Sequence, residues 1–129
     1  MKRVYPIVLT QDKDTVIVFV PDFNINTEGK DYADAIEMAR DAISVAGTCL
    51  EDKGLKLPES SDASSIKTQE GEIVTLVDVD FDDYRKKNDM RSVRRNVTLP
   101  AYLDYAASES GINVSAVLQS ALKQVLNLN

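Results

Sequence analysis

The last third of the chain limits the possible folds most, because it carries one short strand pattern and two helical patterns within about 40 residues. The segment RRNVTLP, residues 94–100, alternates polar and apolar side chains and stops at Pro100. We find no second strand pattern in this region, and an unpaired strand edge seeks a partner. A unit of this size rarely buries enough surface to be stable alone. The sequence therefore predicts that two copies of the region pair through antiparallel strands.

Two helices are predicted after this strand. Pro100 suits the first turn of one helix and Gly111 the left-handed residue after its end. Asn113 or Ser115 can cap the next helix, since either side chain can accept a hydrogen bond from a free backbone amide. Apolar residues recur along it at helical spacing, and strand alternation directs two more toward the helices. The predicted dimer core contains Val97, Leu99, Leu103, Val117, Leu118 and Leu122.

The polar side of the strand has the residue types that read DNA. Arg94, Asn96 and Thr98 project from the face opposite the helices if the strand alternates regularly. A two-stranded ribbon fits the major groove, where Arg can bond guanine, Asn can bond adenine and Thr can contact thymine. The free amides of a helix N-terminus can hold a phosphate. The predicted phosphate contacts are Arg91, Arg95, Asn113, Val114 and Ser115. A solvent-facing edge strand without a ligand is the alternative interpretation.

Charge is unevenly distributed along the chain. Residues 1–89 contain 11 Lys and Arg against 19 Asp and Glu, a net charge of −8, whereas residues 90–129 contain 4 against 2, a net of +2. The overall charge of −6 would argue against nucleic acid, but the distribution does not. The distribution predicts that the acidic N-terminal part and the basic C-terminal part bind different partners.

The N-terminal part reads as a small α+β layer. The β-branched runs at residues 3–9 and 15–20 indicate a hairpin, in which Pro6 must occupy an edge or a bulge. A loop through Gly29 then leads to a helix between a cap at Asp31 and a stop near Gly54. A third strand is predicted at residues 73–81, and residues 82–91 are so charged that they indicate a helix end or a linker. The predicted order is β-β-α-β.

The long helix carries a broad apolar face made of two adjoining stripes. One stripe contains Ile36, Ala39, Ile43, Ala46 and Leu50, and the other contains Ala35, Met38, Ala42, Val45 and Cys49. Cys49 has no histidine to activate it, so we expect it in the core.

Composition excludes several classes of protein. With 43% hydrophobic and 28% charged residues the chain should be globular, and it lacks an apolar run of about 20 residues that could span a membrane. It has no histidine, which removes the commonest general base and transition-metal ligand. The single cysteine and the lack of an export signal fit the cytoplasm. We expect no cofactor, no resident metal and no membrane partner.

Two sets of residues resemble known families. The segment RRNVTLPAYLDYAASESGINVSAVLQSAL resembles a ribbon-helix-helix DNA-binding domain. The segments YPIVL, FVPDF, DYADAIEMARDAI and KGLKLPESSD, in that order, resemble the HicB antitoxin family, whose first domain has a partial ribonuclease-H-like fold. The chain departs from this family at Asn24, Ile25 and Asn26, where many members have a proline-glycine-cysteine turn.

The resemblance implies a non-enzymatic antitoxin that binds and blocks a small basic RNA-cleaving toxin of the HicA family. It also implies a repressor that binds operator DNA of its own operon as a homodimer, with a tetramer left open. The predicted fold is α+β, with a partial ribonuclease-H-like domain and a ribbon-helix-helix (β-α-α) dimerisation domain. The predicted boundaries are 1–84 for the toxin-binding domain, 85–92 for the linker and 93–129 for the DNA-binding domain.

A metal-dependent, ribonuclease-H-like nuclease is the alternative function. Such an enzyme would use clustered carboxylates with Mg²⁺, and Asp12, Asp14, Asp78 and Asp80 are its candidates. Their spacing gives little support, because Asp12 and Asp14 fall in the predicted hairpin turn. A calcium loop at residues 78–89 is disfavoured, since Asp83 stands where that loop needs glycine.

Overall fold

The computed structural model describes residues 1–128, so Asn129, the last residue of the predicted domain 93–129, lies outside the described residues. The chain divides into two compact units, residues 1–90 and residues 91–129, which we call the first and second units. The first unit is built around a four-stranded sheet. The second contains two helices.

All four strands of the first unit pair antiparallel, in the order β3-β2-β1-β4. A short 3₁₀ turn at Ala63–Ser65 lies in the long connection before β4. The strands and helices of this unit are β1 Lys2–Asp12, β2 Thr15–Val20, β3 Ile25–Gly29, α1 Tyr32–Asp52, β4 Glu72–Asp80 and α2 Phe81–Lys87.

The mixed α+β class is confirmed, but the predicted order β-β-α-β was incomplete. Residues 25–29 form a third strand, β3, where a loop through Gly29 was expected. Asn24, at the departure from the family turn, takes a positive φ of 52° in the turn directly before β3. Residues 81–87 form the helix α2, where a helix end or a linker was expected. Asp80 caps α2 by accepting a hydrogen bond from the Asp83 backbone amide at 3.1 Å.

One face of the sheet holds the core. Side chains at alternate positions of β1, β2 and β4 point toward α1, as strand geometry requires. Pro6 lies in β1 where only β4 pairs with it, because the partners of β1 in β2 begin at Val8. Proline therefore sits on a locally unpaired side, as predicted from its missing donor. The core contains Tyr5, Ile7, Leu9, Val16, Val18, Val20, Ala35, Ala39, Ile43, Leu57, Val77, Val79 and Phe81.

Helix α1 begins at the predicted cap, since the Asp31 carboxylate accepts a hydrogen bond from the Asp34 amide at 2.8 Å. Gly54 follows its end with a φ of 75°. A Cβ on Gly29 would lie 2.3 Å from the backbone nitrogen of Ala35, so only glycine lets β3 meet the start of α1 so closely. Across the described chain, no helix is both long and apolar enough to cross a membrane.

The predicted apolar face of α1 was too broad. Ala35, Ala39 and Ile43 are buried. Met38, Val45 and Cys49 are exposed, so the expectation that Cys49 lies in the core was wrong. The helix instead turns Ser44, Gly47 and Thr48 inward. A Cβ on Gly47 would lie 2.2 Å from the Phe81 ring, and this ring fills the space beside the glycine.

The second unit contains α3, Ala101–Glu109, and α4, Val114–Val125. Pro100 stands just before α3 rather than in its first turn, and Gly111 has the expected positive φ of 65°. Asn113, not Ser115, caps α4, since its side-chain oxygen accepts a hydrogen bond from the Ala116 amide at 3.1 Å.

Candidate functional site

Every residue of the predicted DNA-reading strand is exposed in the single chain. Residues 89–100 have no regular secondary structure, and Arg94, Asn96 and Thr98 are all exposed. Val97, on the predicted inner side, is 51% exposed. A strand whose partner belongs to a second copy forms no ladder within one chain. The ribbon therefore stays a prediction.

The apolar side chains of the second unit are not covered within the chain. Between residues 91 and 128 no side chain is buried, and only Ala107 and Leu118 are half-buried. Leu122 is 48% exposed, and the other predicted core residues, Val97, Leu99, Leu103 and Val117, are also exposed. An exposed apolar face on a stable domain usually marks a contact with another molecule. The single chain thus leaves the predicted dimer core open.

The start of α4 has free backbone amides, and its predicted phosphate contacts stay a prediction. Val114 and Ser115 are exposed in the first turn of α4, where backbone amides lack intrahelical partners. Asn113 uses its side chain to cap the amide of Ala116. Arg91 and Arg95, the other predicted phosphate contacts, are exposed upstream in the same unit.

The four aspartates of the alternative nuclease site do not come together. Asp80 pairs with Lys2 at the start of β1, whereas Asp12 pairs with Thr15 at its other end. Ten residues of extended strand separate these ends by about 30 Å. Among residues 1–128, no group of three or more His, Cys, Asp or Glu is arranged to hold a metal. Mg²⁺ catalysis through these aspartates is not favoured.

Asp78 is engaged by cations instead. The Arg40 side chain donates from Nη2 to the Asp78 carboxylate at 3.0 Å and from Nε to the Asp78 carbonyl at 2.9 Å. Lys2 Nζ lies 3.6 Å from the same carboxylate. The hydrogen bond from Arg40 lowers the pKa of the Asp78 carboxyl below its usual value. Arg40 also covers part of the outer edge of β4, whose unpaired backbone groups could otherwise pair with another strand.

A pocket of about 330 Å³ lies beside this ion pair, between α1, β4 and α2. Its charged lining is largely paired, for example Lys87 with Asp83 at 2.8 Å, which raises the pKa of Lys87. Small-molecule sites are mostly apolar with a few polar groups. The pocket therefore has the character of a solvated ion-pair cluster.

The second face of the sheet, opposite α1, was missed from the sequence. Alternate positions place Val4, Ile17, Phe19 and Leu76 on this face, and all four are exposed. Leu76 is 56% exposed. The signal was present, since β1 and β2 read as nearly continuous apolar runs, the pattern of strands covered on both faces. We call this surface the open face.

Comparison with known protein families identifies the family of this chain. Residues 5–121 match the family model described as a HicB-like antitoxin of bacterial toxin-antitoxin systems. The chain belongs to the HicB-like antitoxin family. The match spans both units, so this family accounts for the sheet with α1 and also for most of the two-helix region.

Solved structures agree with this HicB-like assignment. A chain from a toxin-antitoxin complex of Streptococcus pneumoniae matches with a TM-score of 0.61 at 22% identity, covering 96% of this chain and 99% of that one, which shows the fold alone. The Burkholderia pseudomallei antitoxin HicB gives a TM-score of 0.54 at 25% identity, covering 96% of each chain. A chain of the HicA3 and HicB3 toxin-antitoxin complex gives 0.51 at 25% identity, covering 60% of this chain and 99% of that one. No curated protein matches the chain.

Proposed function

We propose that this HicB-like chain is a non-enzymatic antitoxin that binds a HicA-like, RNA-cleaving toxin and represses its own operon. The first unit would bind the toxin, and the second would form a ribbon-helix-helix dimer on operator DNA. The observation that carries the proposal is the second unit's exposed apolar surface, within a family of toxin-antitoxin proteins. A partner chain is the simplest way to cover that surface.

Dimer formation would complete both the two-stranded ribbon and the apolar core of the second unit. Antiparallel pairing of residues 94–99 from two copies would satisfy the free backbone groups of that segment. The same pairing would bring Val97 and Leu99 of each chain against α3 and α4. Burying a Leu or Val side chain contributes about 1.5–3 kcal/mol, so several such residues per chain can offset the loss of freedom on association.

Base reading follows from the outward positions of the ribbon. Arg94 and Asn96 would contact base edges from the face away from the helices, and Thr98 would lie at the ribbon end. Arg91, Arg95 and the α4 amides would hold phosphates on either side. The net charge of −8 over residues 1–89 favours a basic protein over DNA as the partner of the first unit.

The test is binding of the full chain to DNA from its own upstream region. Arg94→Ala and Asn96→Ala should each lose about 1–3 kcal/mol of base discrimination, measured by fluorescence anisotropy on the operator and on a scrambled duplex. Affinity should also fall steeply with salt, because phosphate contacts release counterions. Lys123→Ala removes a positive charge from the last turn of α4 and is the matched control.

A footprint that stays unchanged in both Arg94→Ala and Asn96→Ala would contradict the ribbon. An equal loss on operator and scrambled DNA would assign the two side chains to phosphates rather than to bases. The assembly state should be measured on the same samples by sedimentation, where a monomer at working concentration would contradict dimerisation. A dimer or a tetramer is compatible with the proposal.

A further inference from the structure

The two units carry net charges of opposite sign. Residues 1–89 carry −8 and residues 90–129 carry +2. Met90 is uncharged, so the same values apply to the first unit, residues 1–90, and to the second, residues 91–129. Because DNA is a dense polyanion, a duplex held by the second unit repels the first. Each copy of the chain therefore brings a strongly acidic unit to the DNA together with a weakly basic one.

The chain itself limits how far the acidic unit can move from that duplex. Helix α2, the last element of the first unit, ends at Lys87, and Arg94, the first predicted base-reading residue, follows seven residues later. Seven extended residues span at most about 25 Å. A compact unit of 90 residues is itself about 25 Å across, since its radius of gyration is about 12 Å. The first unit is therefore tethered within about one diameter of the predicted ribbon.

The cations nearest this tether do not form a basic surface. Arg85 lies 3.3 Å from the Glu51 carboxylate and 3.0 Å from that of Asp52. Lys87 lies 2.8 Å from the Asp83 carboxylate. Each of these cations thus has an acid of its own unit beside it, so α2 does not offset the negative charge near the DNA.

Other acids of the first unit face solvent with no cation beside them. They are spread over β1, the turn after it, β3, α1 and the connection before β4, and so they do not form a cluster. Their effect on DNA is therefore that of the unit's whole charge. Six acids are exposed and make no ion pair within residues 1–128: Asp12, Asp14, Glu28, Asp41, Glu59 and Glu70.

We propose that the first unit weakens DNA binding by the second unit through charge repulsion, and that it does so equally for every DNA sequence. The inference rests on the proposed function. Phosphates carry no sequence information, so their repulsion lowers the affinity for operator and for other DNA by the same factor. Only sites where base contacts add enough affinity are then occupied. The first unit thereby limits binding to the large excess of non-operator DNA.

The alternative interpretation is that the acidic charge serves only solubility or a basic protein partner. It predicts that charge changes in the first unit leave DNA affinity unchanged. Repulsion should be moderate, because the predicted phosphate contacts are direct whereas the acids act across solvent, where the Debye length is about 10 Å at 0.1 M salt. We expect an effect of about threefold to tenfold on affinity at that salt concentration.

The experiment measures binding of the full, toxin-free chain to operator DNA and to a scrambled duplex by fluorescence anisotropy. Replacing all six acids by their amides changes the net charge of the first unit from −8 to −2. This variant should bind both duplexes about threefold to tenfold more tightly at 0.1 M salt, and the gain should shrink as the salt concentration rises. A chain with only Glu28→Gln, Glu59→Gln and Glu70→Gln should show a smaller gain of the same kind.

The matched control removes exposed cations from the same unit. Lys13→Gln, Lys56→Gln and Lys67→Gln together change its net charge to −11 and should weaken binding to both duplexes. Circular dichroism establishes that each variant is folded. Unchanged affinities in the folded acid-to-amide variants would overturn the inference and leave operator binding intact. A gain on operator DNA alone would also overturn it, because repulsion does not depend on sequence. If the wild type does not bind the operator, the proposed function fails and this inference fails with it.

Discussion

The two units of this antitoxin treat similar apolar residues in opposite ways. The first unit buries Tyr5, Ile43 and Phe81 between a sheet and a helix. The second exposes residues of the same kind, such as Leu103 and Leu122, although Asn113 caps α4. Good local signals therefore do not make a core, because a core needs a second layer to cover the apolar side. We infer that the first unit finds this layer within the chain and that the second finds it in another copy.

The largest effect should come from the core of the first unit. Phe81 is 1% exposed and its ring fills the space beside Gly47. Phe81→Ala should cost about 3–5 kcal/mol of the free energy of unfolding of this unit, because it removes a buried ring and leaves a cavity. Hydrogen exchange resolved by segment measures the loss in β1 and β4 separately from that in α4.

Leu55→Ala is the control, since Leu55 is an exposed apolar residue of the same unit. It should change the stability by less than about 0.5 kcal/mol. The loss in Phe81→Ala should not depend on protein concentration. A concentration-dependent loss would mean that the first unit also depends on a partner.

The second unit should show the opposite behaviour. Its unfolding temperature should rise with protein concentration, because association stabilises it by mass action. Leu122→Ala should cost about 2–3 kcal/mol per chain if the side chain is buried between copies. Thermal unfolding at several concentrations, monitored by circular dichroism, measures both effects.

Leu128→Ala, just past the end of α4, makes the same chemical change outside the predicted dimer core. It should leave the unfolding temperature within error of the wild type. If Leu122→Ala were equally mild and the unfolding independent of concentration, the second unit would be stable alone and the contrast between the units would disappear.

Elements with strong local signals were the ones that sequence could predict. The cap at Asp31, the positive φ at Gly54 and the apolar periodicity together define α1. Strand β3 was missed because its sequence, INTEG, has three polar residues and little apolar content. It forms because it can pair with β2 and because Gly29 lets the chain pass close to Ala35.

Which side of an element is covered was harder to predict. Periodicity identified two apolar stripes on α1, but only packing decides that Ala39 faces the sheet while Val45 does not. Because β1 and β2 are apolar on both faces, their sequence does not show which face α1 covers. The open face was therefore not predicted. Residues 94–99 are the extreme case, since their predicted partner strand belongs to another chain.

Helix caps allow the two units to be compared through the same kind of substitution, with a smaller expected loss of stability. Asp31 caps α1 and Asn113 caps α4 through side-chain oxygens. Asp31→Ala and Asn113→Ala should each cost about 1 kcal/mol, because each leaves a backbone amide without an acceptor. Hydrogen exchange should show the first loss in α1 at any concentration and the second in α4 most clearly at low concentration.

Asn113→Asp keeps a capping oxygen and adds a negative charge at the start of α4. Stability should be retained, since Asp caps as well as Asn. Operator affinity should nevertheless fall if the α4 amides hold a phosphate, because the new carboxylate would face it. Unchanged affinity on operator DNA would remove this helix start from the predicted contacts.

Acid should weaken the first unit through Asp78, with a smaller effect than the core and cap substitutions have. Its folded pKa is lowered by the hydrogen bond from Arg40. The carboxylate therefore binds fewer protons in the folded state than in the unfolded state, whose pKa is about 4. Its contribution is present above that pH and is lost as the pH falls through the lower, folded pKa.

Asp78→Asn should therefore lose less stability than the wild type between about pH 5 and pH 2. Arg40→Gln should reduce the same acid-induced loss of stability. The double variant should add little beyond either single change, because the two residues form one interaction. Urea unfolding of the first unit across this pH range measures all four proteins. If Asp78→Asn lost as much stability on acidification as the wild type, the pair would be too solvated to stabilise the fold, as exposed ion pairs often are. Arg40 would then matter only for covering the β4 edge, whereas the predicted strand of the second unit would use its edge to pair with another copy.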